Sequence, residues 1–158
     1  MRVGIGFDAH RLAPGRPLWL GGVEIPSDRG LEGHSDGDAA IHAAIDALLG
    51  AAGLGDIGEH FPSADERWRG ASSRLLLREV TRILAVAGAR IVNVDLVIIA
   101  ERPKLAPFRE AMRAAISADL GLPHDAVTIK ATSTDGLGFA GRGEGIAAQA
   151  VALVERAG

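Results

Sequence analysis

The sequence predicts an α+β fold, one mixed β-sheet covered on one side by helices, in a single domain over residues 1–158. Two observations lead there. Short β-branched runs alternate with three helix-length stretches in which apolar residues recur every three to four positions, and no second domain, internal repeat or low-complexity tract interrupts them. A chain of this length buries roughly 70% of the surface that its unfolded state exposes, enough for one core.

The elements follow in order. Residues 2–7 read as the first strand. Leu18-Trp19-Leu20 and Val23-Glu24-Ile25 flank Gly21-Gly22, a two-residue hairpin signal. Helices are expected over about 36–54, 72–87 and 107–120, the first with Ser35 or Asp36 as N-cap and Gly53 or Gly55 past its end. Residues 91–100 and 127–131 are β-branched and strand-like. Residues 145–156 are ambiguous, because their alanines favour a helix. Residues 55–73 form the longest stretch without periodicity, which in a compact domain signals a lid or a disordered segment.

Within the first helix, Asp38, His42 and Asp46 stand at successive i+4 steps and share one face. Ile41, Ala44, Ile45, Leu48 and Leu49 form an apolar stripe on the other, suited to packing on a sheet. Three titratable groups on one face need partners. A metal on His42, with a flanking carboxylate taking the other imidazole N–H, would supply them. Asp8 and His10, two apart at the end of the first strand, project from one side and can reach a common point. One carboxylate and two imidazoles leave a fourth tetrahedral position open, as a catalytic zinc requires, and a chain without cysteine has no thiolate to offer.

Composition excludes other classes. A net charge of −3 and six aromatic side chains, none of them Tyr, argue against a nucleic-acid face with stacking platforms. The absence of cysteine, of a signal peptide and of any apolar run near ~20 residues predicts a cytoplasmic protein with no membrane span. Gly4-x-Gly6-x-x-Ala9 matches a loose dinucleotide fingerprint, but that motif must open a helix. Here the chain runs into Arg11-Leu12-Ala13-Pro14-Gly15-Arg16-Pro17, which cannot be one.

Gly4 to Arg11 and His34 to Asp46 resemble the 2-C-methyl-D-erythritol 2,4-cyclodiphosphate synthase family of the non-mevalonate isoprenoid route. The resemblance extends through residues 50–58, Asn93-Val94-Asp95, Pro103-Lys104, residues 130–135 and residues 137–145, nearly the whole chain. It implies a ferredoxin-like sandwich, with the last segment a strand, assembling as a homotrimer whose active sites lie between subunits. It also implies conversion of a cytidine diphosphate substrate, 4-diphosphocytidyl-2-C-methyl-D-erythritol 2-phosphate, to the cyclic diphosphate with release of CMP.

Roles carry over position by position. The resemblance makes Asp8, His10 and His42 the ligands of Zn2+ or another divalent metal. His34 and Ser35, expected at a helix N-terminus with free amides, become the first phosphate contacts, with His34 stabilising the pentacoordinate state. Asp56, Ile57 and Gly58 would hold the erythritol hydroxyls, and Phe61, Pro62, Ser63, Ala64 and Asp65 would belong to the loop that closes over them. Ala100, Pro103, Lys104, Leu105 and Ala106, with Ala131, Thr132, Ser133 and Thr134, resemble the pocket for cytidine and its diphosphate. The Ser133 hydroxyl would act on a transferring phosphate. Asp135 stands where the family pattern has Glu as ligand to a second divalent cation, Mg2+ or Mn2+; the shorter side chain either shifts the backbone or binds through water. Phe139, Arg142 and Glu144 resemble positions lining an apolar axial channel that can hold an isoprenoid diphosphate, although a buried Arg142–Glu144 interface pair fits equally well. His60 and His124 read as surface residues, and only two lysines, Lys104 and Lys130, stand among fifteen arginines.

Two rivals use the same residues. Two histidines and a carboxylate also form the facial triad of non-haem Fe(II) oxygenases, but those sit in all-β barrels, whereas this chain carries three long helix patterns. A trimeric metal-stabilised binding module for an isoprenoid phosphate is the non-enzymatic alternative, and CMP release separates it from the enzyme.

Overall fold

The computed structural model describes residues 1–156. The described residues form seven strands and five α-helices: β1 (Arg2–Pro14), β2 (Leu18–Leu20), β3 (Val23–Ile25), β4 (Arg29–Leu31), α1 (Ala39–Ala52), α2 (Ile57–His60), α3 (Ser73–Val86), β5 (Ala89–Ile99), α4 (Arg109–Leu120), β6 (Val127–Thr132), α5 (Gly138–Gly141) and β7 (Gly145–Arg156). Five strands form one mixed sheet in the order β4-β1-β7-β5-β6, in which only β5 and β6 run parallel. Helix α1 lies over β1 and β7, with α3 over β5 and α4 over β6, so the helices cover one face.

β7 settles the ambiguous segment. It pairs with β1 on one side and β5 on the other, so its backbone groups are committed to ladders. Ile146, Ala148, Ala150, Ala152 and Val154 are all buried at alternate positions. The three alanines among them are small enough to let α1 settle on the sheet, so tertiary packing overrides the helical preference of alanine.

β1 extends seven residues beyond the predicted strand, because its second half pairs with the start of β7 and with the short edge strand β4, which the sequence did not reveal. Its even positions face the helices and its odd positions face away, as a period of two requires. Gly4 and Gly6 meet α1 backbone to backbone. A Cβ built on Gly6 would lie 2.0 Å from the Ala43 carbonyl oxygen, and one on Gly4 would lie 2.0 Å from that of Ala47. These glycines serve helix packing, with no role in dinucleotide binding. On the opposite face Val3, Ile5 and Phe7 are 68%, 63% and 57% exposed, an apolar surface that nothing among the described residues covers.

Helix α1 is buried all round rather than on one stripe, with twelve of its fourteen residues inside the core. It begins three residues later than 36, with Asp38 as its N-cap in place of Ser35 or Asp36, and it ends at Gly53 in the left-handed conformation. Asp38 is fully buried. Its Oδ1 accepts from Ile41 N at 3.1 Å and Gly21 N at 2.9 Å, and its Oδ2 accepts from Gly22 N at 2.7 Å. One side chain thus caps the helix and clamps the β2–β3 turn. Burial and the neighbouring Asp36 push this carboxyl up, against the pull of the three N–H donors.

Residues 55–73 are not a featureless loop. They contain α2 and a 3-10 turn at Glu66–Trp68, and Trp68 packs edge-to-face on the buried Phe61 at 5.0 Å. Asp46 accepts from Ile57 N at 2.8 Å and so ties α2 to α1. His60 is half-buried rather than a surface residue, with Nε2 2.8 Å from the Leu54 carbonyl, while His124 is exposed.

Candidate active site

Asp8 and His10 follow Gly4 and Gly6 at even positions of β1, on the face that α1 covers, and His42 precedes Ala43, the residue against which Gly6 packs. Close approach of strand and helix therefore brings the three side chains together. Asp8 Oδ2, His10 Nε2 and His42 Nδ1 form a triangle with edges of 2.7, 3.0 and 3.2 Å. A tetrahedral zinc with ligands at ~2.05 Å needs edges of about 3.3 Å, so the three atoms converge at the spacing that one ion demands. The imidazoles are also oriented for it. His10 Nδ1 lies 2.5 Å from the Glu32 carbonyl, an acceptor that holds the proton there and leaves the Nε2 lone pair free. Burial pushes the Asp8 carboxyl up, but hydrogen bonds and Coulombic attraction from His10 and His42 prevail and lower it to about 2. Burial opposes protonation of His10, yet Asp8 and the Glu32 carbonyl raise it overall. Among the described residues this is the one cluster of His, Cys, Asp or Glu arranged to hold a metal ion.

The partner expected for the other nitrogen of His42 was a flanking carboxylate, Asp38 or Asp46. The structure corrects this. Both carboxylates are engaged by backbone N–H groups, and Nε2 meets the hydroxyls of Ser73 at 2.9 Å and Ser35 at 3.1 Å. His34 and Ser35 stand just before α1, whose N-terminal amides were expected beside them. Asp38 occupies the amide of Ile41.

The Asp8–His10–His42 triangle opens into a cavity of about 290 Å³. Of the residues singled out in the sequence, His34, Ser35, Ile57, Gly58, Phe61 and Ser63 line it. Trp68 and Leu76 line it as well, and were missed. Trp68 had one available signal, a tryptophan inside an aperiodic segment. Nε2 of His34 and Nε1 of Trp68 are both buried without a hydrogen-bond partner among the described residues.

A second cavity, of about 360 Å³, is lined by Ala100, Pro103, Lys104, Leu105 and Ala106 from one segment and by Ala131, Thr132 and Ser133 at the end of β6. Glu101 and Arg109 also border it and were not anticipated. It shares no residue with the metal cavity.

The remaining predicted residues line neither cavity. Asp56 caps α2 by accepting from Glu59 N at 3.0 Å, and Asp65 pairs with Arg67 at 2.6 Å, while Pro62 and Ala64 are exposed between them. Thr134 Oγ1 donates to the Leu137 carbonyl at 2.6 Å. Asp135 is exposed, takes a left-handed backbone with φ of 52°, and accepts from Ser133 Oγ at 3.2 Å. Phe139 lines a third cavity of about 220 Å³ with Ala9, His10, Arg11, Glu144 and Gly145. Arg142 donates to Glu144 at 2.7 Å, and both are exposed. Lys130 pairs with Asp95 at 2.7 Å, away from the site.

A family model described as the YgbB family matches residues 1–155. The 2-C-methyl-D-erythritol 2,4-cyclodiphosphate synthase of Symbiobacterium thermophilum is 62% identical over 154 residues, which cover 98% of both chains. Among solved structures, a 2C-methyl-D-erythritol-2,4-cyclodiphosphate synthase in a CDP-bound form superposes with a TM-score of 0.89 at 45% identity, covering 98% of this chain and 100% of that one. The bifunctional IspDF of Campylobacter jejuni gives a TM-score of 0.94 at 41% identity; the match covers 99% of this chain but only 42% of that longer protein.

Proposed function

The chain belongs to the YgbB family, and from that premise we propose that it is a 2-C-methyl-D-erythritol 2,4-cyclodiphosphate synthase, a phosphorus-oxygen lyase of isoprenoid synthesis. An oxygen of the substrate's 2-phosphate attacks the β-phosphorus of the same molecule's diphosphate. The bond from that phosphorus to the bridging oxygen breaks, and CMP departs with the electron pair. No protein nucleophile is needed. The observation that carries the reading is the converging triangle of Asp8, His10 and His42 at the mouth of a cavity.

Asp8, His10 and His42 would hold a divalent metal, zinc in our reading, which when bound anchors a phosphate oxygen and neutralises charge at phosphorus. Neutralisation matters because two unit charges 4 Å apart repel by about 4 kcal/mol at an effective dielectric near 20, and this reaction brings several together. His34, whose Nε2 lacks a partner among the described residues, donates to a phosphate oxygen beside Ser35. Asp56 and the Ile57–Gly58 backbone position the erythritol, and residues 61–65 fold over it. Lys104, Thr132 and Ser133 receive the nucleotide and its diphosphate, and Ser133 directs its hydroxyl to the transferring phosphate. Asp135, exposed beside Ser133, would hold the second cation, Mg2+ or Mn2+, through water. Orientation of the reacting phosphates supplies much of the acceleration, since well-placed intramolecular reactions gain roughly 7 to 11 kcal/mol.

We further propose a cytoplasmic homotrimer in which the metal cavity of one subunit faces the nucleotide cavity of the next. Two observations support it: the cavities are separate within the chain, and Val3, Ile5 and Phe7 leave an apolar sheet face uncovered. The Phe139 cavity then borders the axis, where an isoprenoid diphosphate would meet Arg142. No helix among the described residues is long and apolar enough to cross a membrane.

Incubation with the cytidyl substrate and a divalent cation, followed by phosphorus NMR, tests the activity. CMP and a cyclic diphosphate should appear together. Failure to release CMP in metal-loaded protein would refute the assignment, and oxygen-dependent turnover of an organic acid by an iron-loaded form would replace it.

A further inference from the structure

The two ring nitrogens of His42 have different surroundings. Nδ1 belongs to the triangle with Asp8 and His10, whereas Nε2 points into protein, 2.9 Å from Ser73 Oγ. Ser73 is the first residue of α3, 31 positions away, and is fully buried. Its hydroxyl stands 2.5 Å from Asp36 Oδ1, and its backbone N–H donates to Asp36 Oδ2 at 2.8 Å. A carboxylate only accepts and a hydroxyl has one proton to give. The Ser73 proton therefore lies toward Asp36, and a Ser73 lone pair is left for an N–H on His42 Nε2. That arrangement places the imidazole's one acceptor lone pair on Nδ1, in the triangle. The hydroxyl of Ser35, 3.1 Å from the same nitrogen, borders the cavity and also accepts from Gly37 N at 3.4 Å; no carboxylate orders it.

We propose that Ser73 and Asp36 are positioning residues for the metal: the Asp36–Ser73–His42 chain fixes the imidazole's tautomer and ring orientation and carries the carboxylate's charge toward a ligand. Carboxylates that reach a ligating histidine directly are common partners, and here a serine hydroxyl extends the reach by one hydrogen bond. The chain has a second mechanical tie. Asp36 N donates to the Ala71 carbonyl at 3.1 Å and Gly70 N to the His34 carbonyl at 2.8 Å, so the 34–36 segment moves with the start of α3. This inference rests on the metal reading above but not on the reaction.

A capping role alone, Asp36 closing the first turn of α3, would alter stability without altering metal affinity, and this separates the two accounts. In the metal-stripped full chain, zinc affinity is measured by competition with a chromogenic chelator, with the unfolding temperature of the apo protein as the folding control. Ser73→Ala should weaken binding about 10- to 100-fold, the usual effect of losing such a partner. Asp36→Asn should weaken it as well, but should change it less than two-fold when Ser73 is already Ala. Unchanged affinity in folded Ser73→Ala, or an equal Asp36→Asn effect in both backgrounds, overturns the proposal. A further measurement needs no variant: with zinc bound, the wild-type His42 Nε2–H should give a resolved, slowly exchanging proton resonance, and its absence would also overturn the proposal. If the wild type itself binds no zinc, the metal reading fails with it; tight wild-type binding that ignores Ser73 defeats this inference alone.

Discussion

Gly6→Ala tests the idea that close packing of strand on helix builds the metal site. The new Cβ would sit 2.0 Å from the Ala43 carbonyl oxygen and 2.7 Å from Ala47 N, both of them backbone atoms that cannot rotate away. Restoring a contact of about 3 Å requires β1 and α1 to separate locally by about 1 Å. Asp8 rides on β1 two residues beyond Gly6, and His42 adjoins Ala43 on α1. The same displacement would therefore stretch the 3.0 Å separation of Asp8 Oδ2 and His42 Nδ1 to about 4 Å. With bonds of ~2.1 Å, that span forces the angle between the two ligands to about 145°, far from tetrahedral. Zinc affinity should fall at least about 10-fold, and overpacking should destabilise the fold by about 1 to 3 kcal/mol. A chain of this size would then lose roughly 2 to 4 °C of Tm for each kcal/mol. Chelator competition reads the first effect and calorimetry of the metal-free protein reads the second. Wild-type zinc affinity in folded Gly6→Ala would refute the argument, since it would mean that the ligands are placed independently of this contact.

Four further outcomes follow from the same geometry. His42→Ala leaves two ligands and should abolish stoichiometric metal binding and turnover while circular dichroism retains α1, whose apolar contacts are untouched; full activity in metal-free protein would contradict the metal's role. Asp38→Asn substitutes an amide for an oxygen that accepts a backbone N–H, setting donor against donor at Gly22 or at Gly21 and Ile41, and chemical denaturation should show a loss of about 1 to 3 kcal/mol. Ser133→Ala should lower kcat more than it raises KM, because its hydroxyl is assigned to the transferring phosphate; a pure KM effect would remove that assignment. Inactive His42→Ala and Lys104→Ala chains, mixed equally and reassembled at random, should recover activity near the roughly one quarter of junctions that unite two intact halves. Mixed trimers verified by mass that recover nothing would place the whole site within one chain.

The sequence alone determined those parts in which neighbours along the chain are also neighbours in space. A Gly-Gly pair between two apolar triplets determines the β2–β3 hairpin, and a helical run ending at Gly53 determines α1 to within three residues. A period of two puts Asp8 and His10 on one side of β1, so two members of the cluster that could hold a metal were legible in residue types and spacing. The fold decided what depends on contacts between distant residues. Asp38 is bound to a turn 16 and 17 residues before it, and Ser73 reaches His42 across 31 positions, and no local pattern announces either. Gly4 and Gly6 look like a nucleotide motif until α1 lies against them, and the alanines of β7 favour a helix until two ladders claim their backbone. Residue type sets which interactions a side chain can make. Its partner is set by which segments the closed core brings within about 3 Å, because a hydrogen bond or a metal ligand has no effect beyond that range.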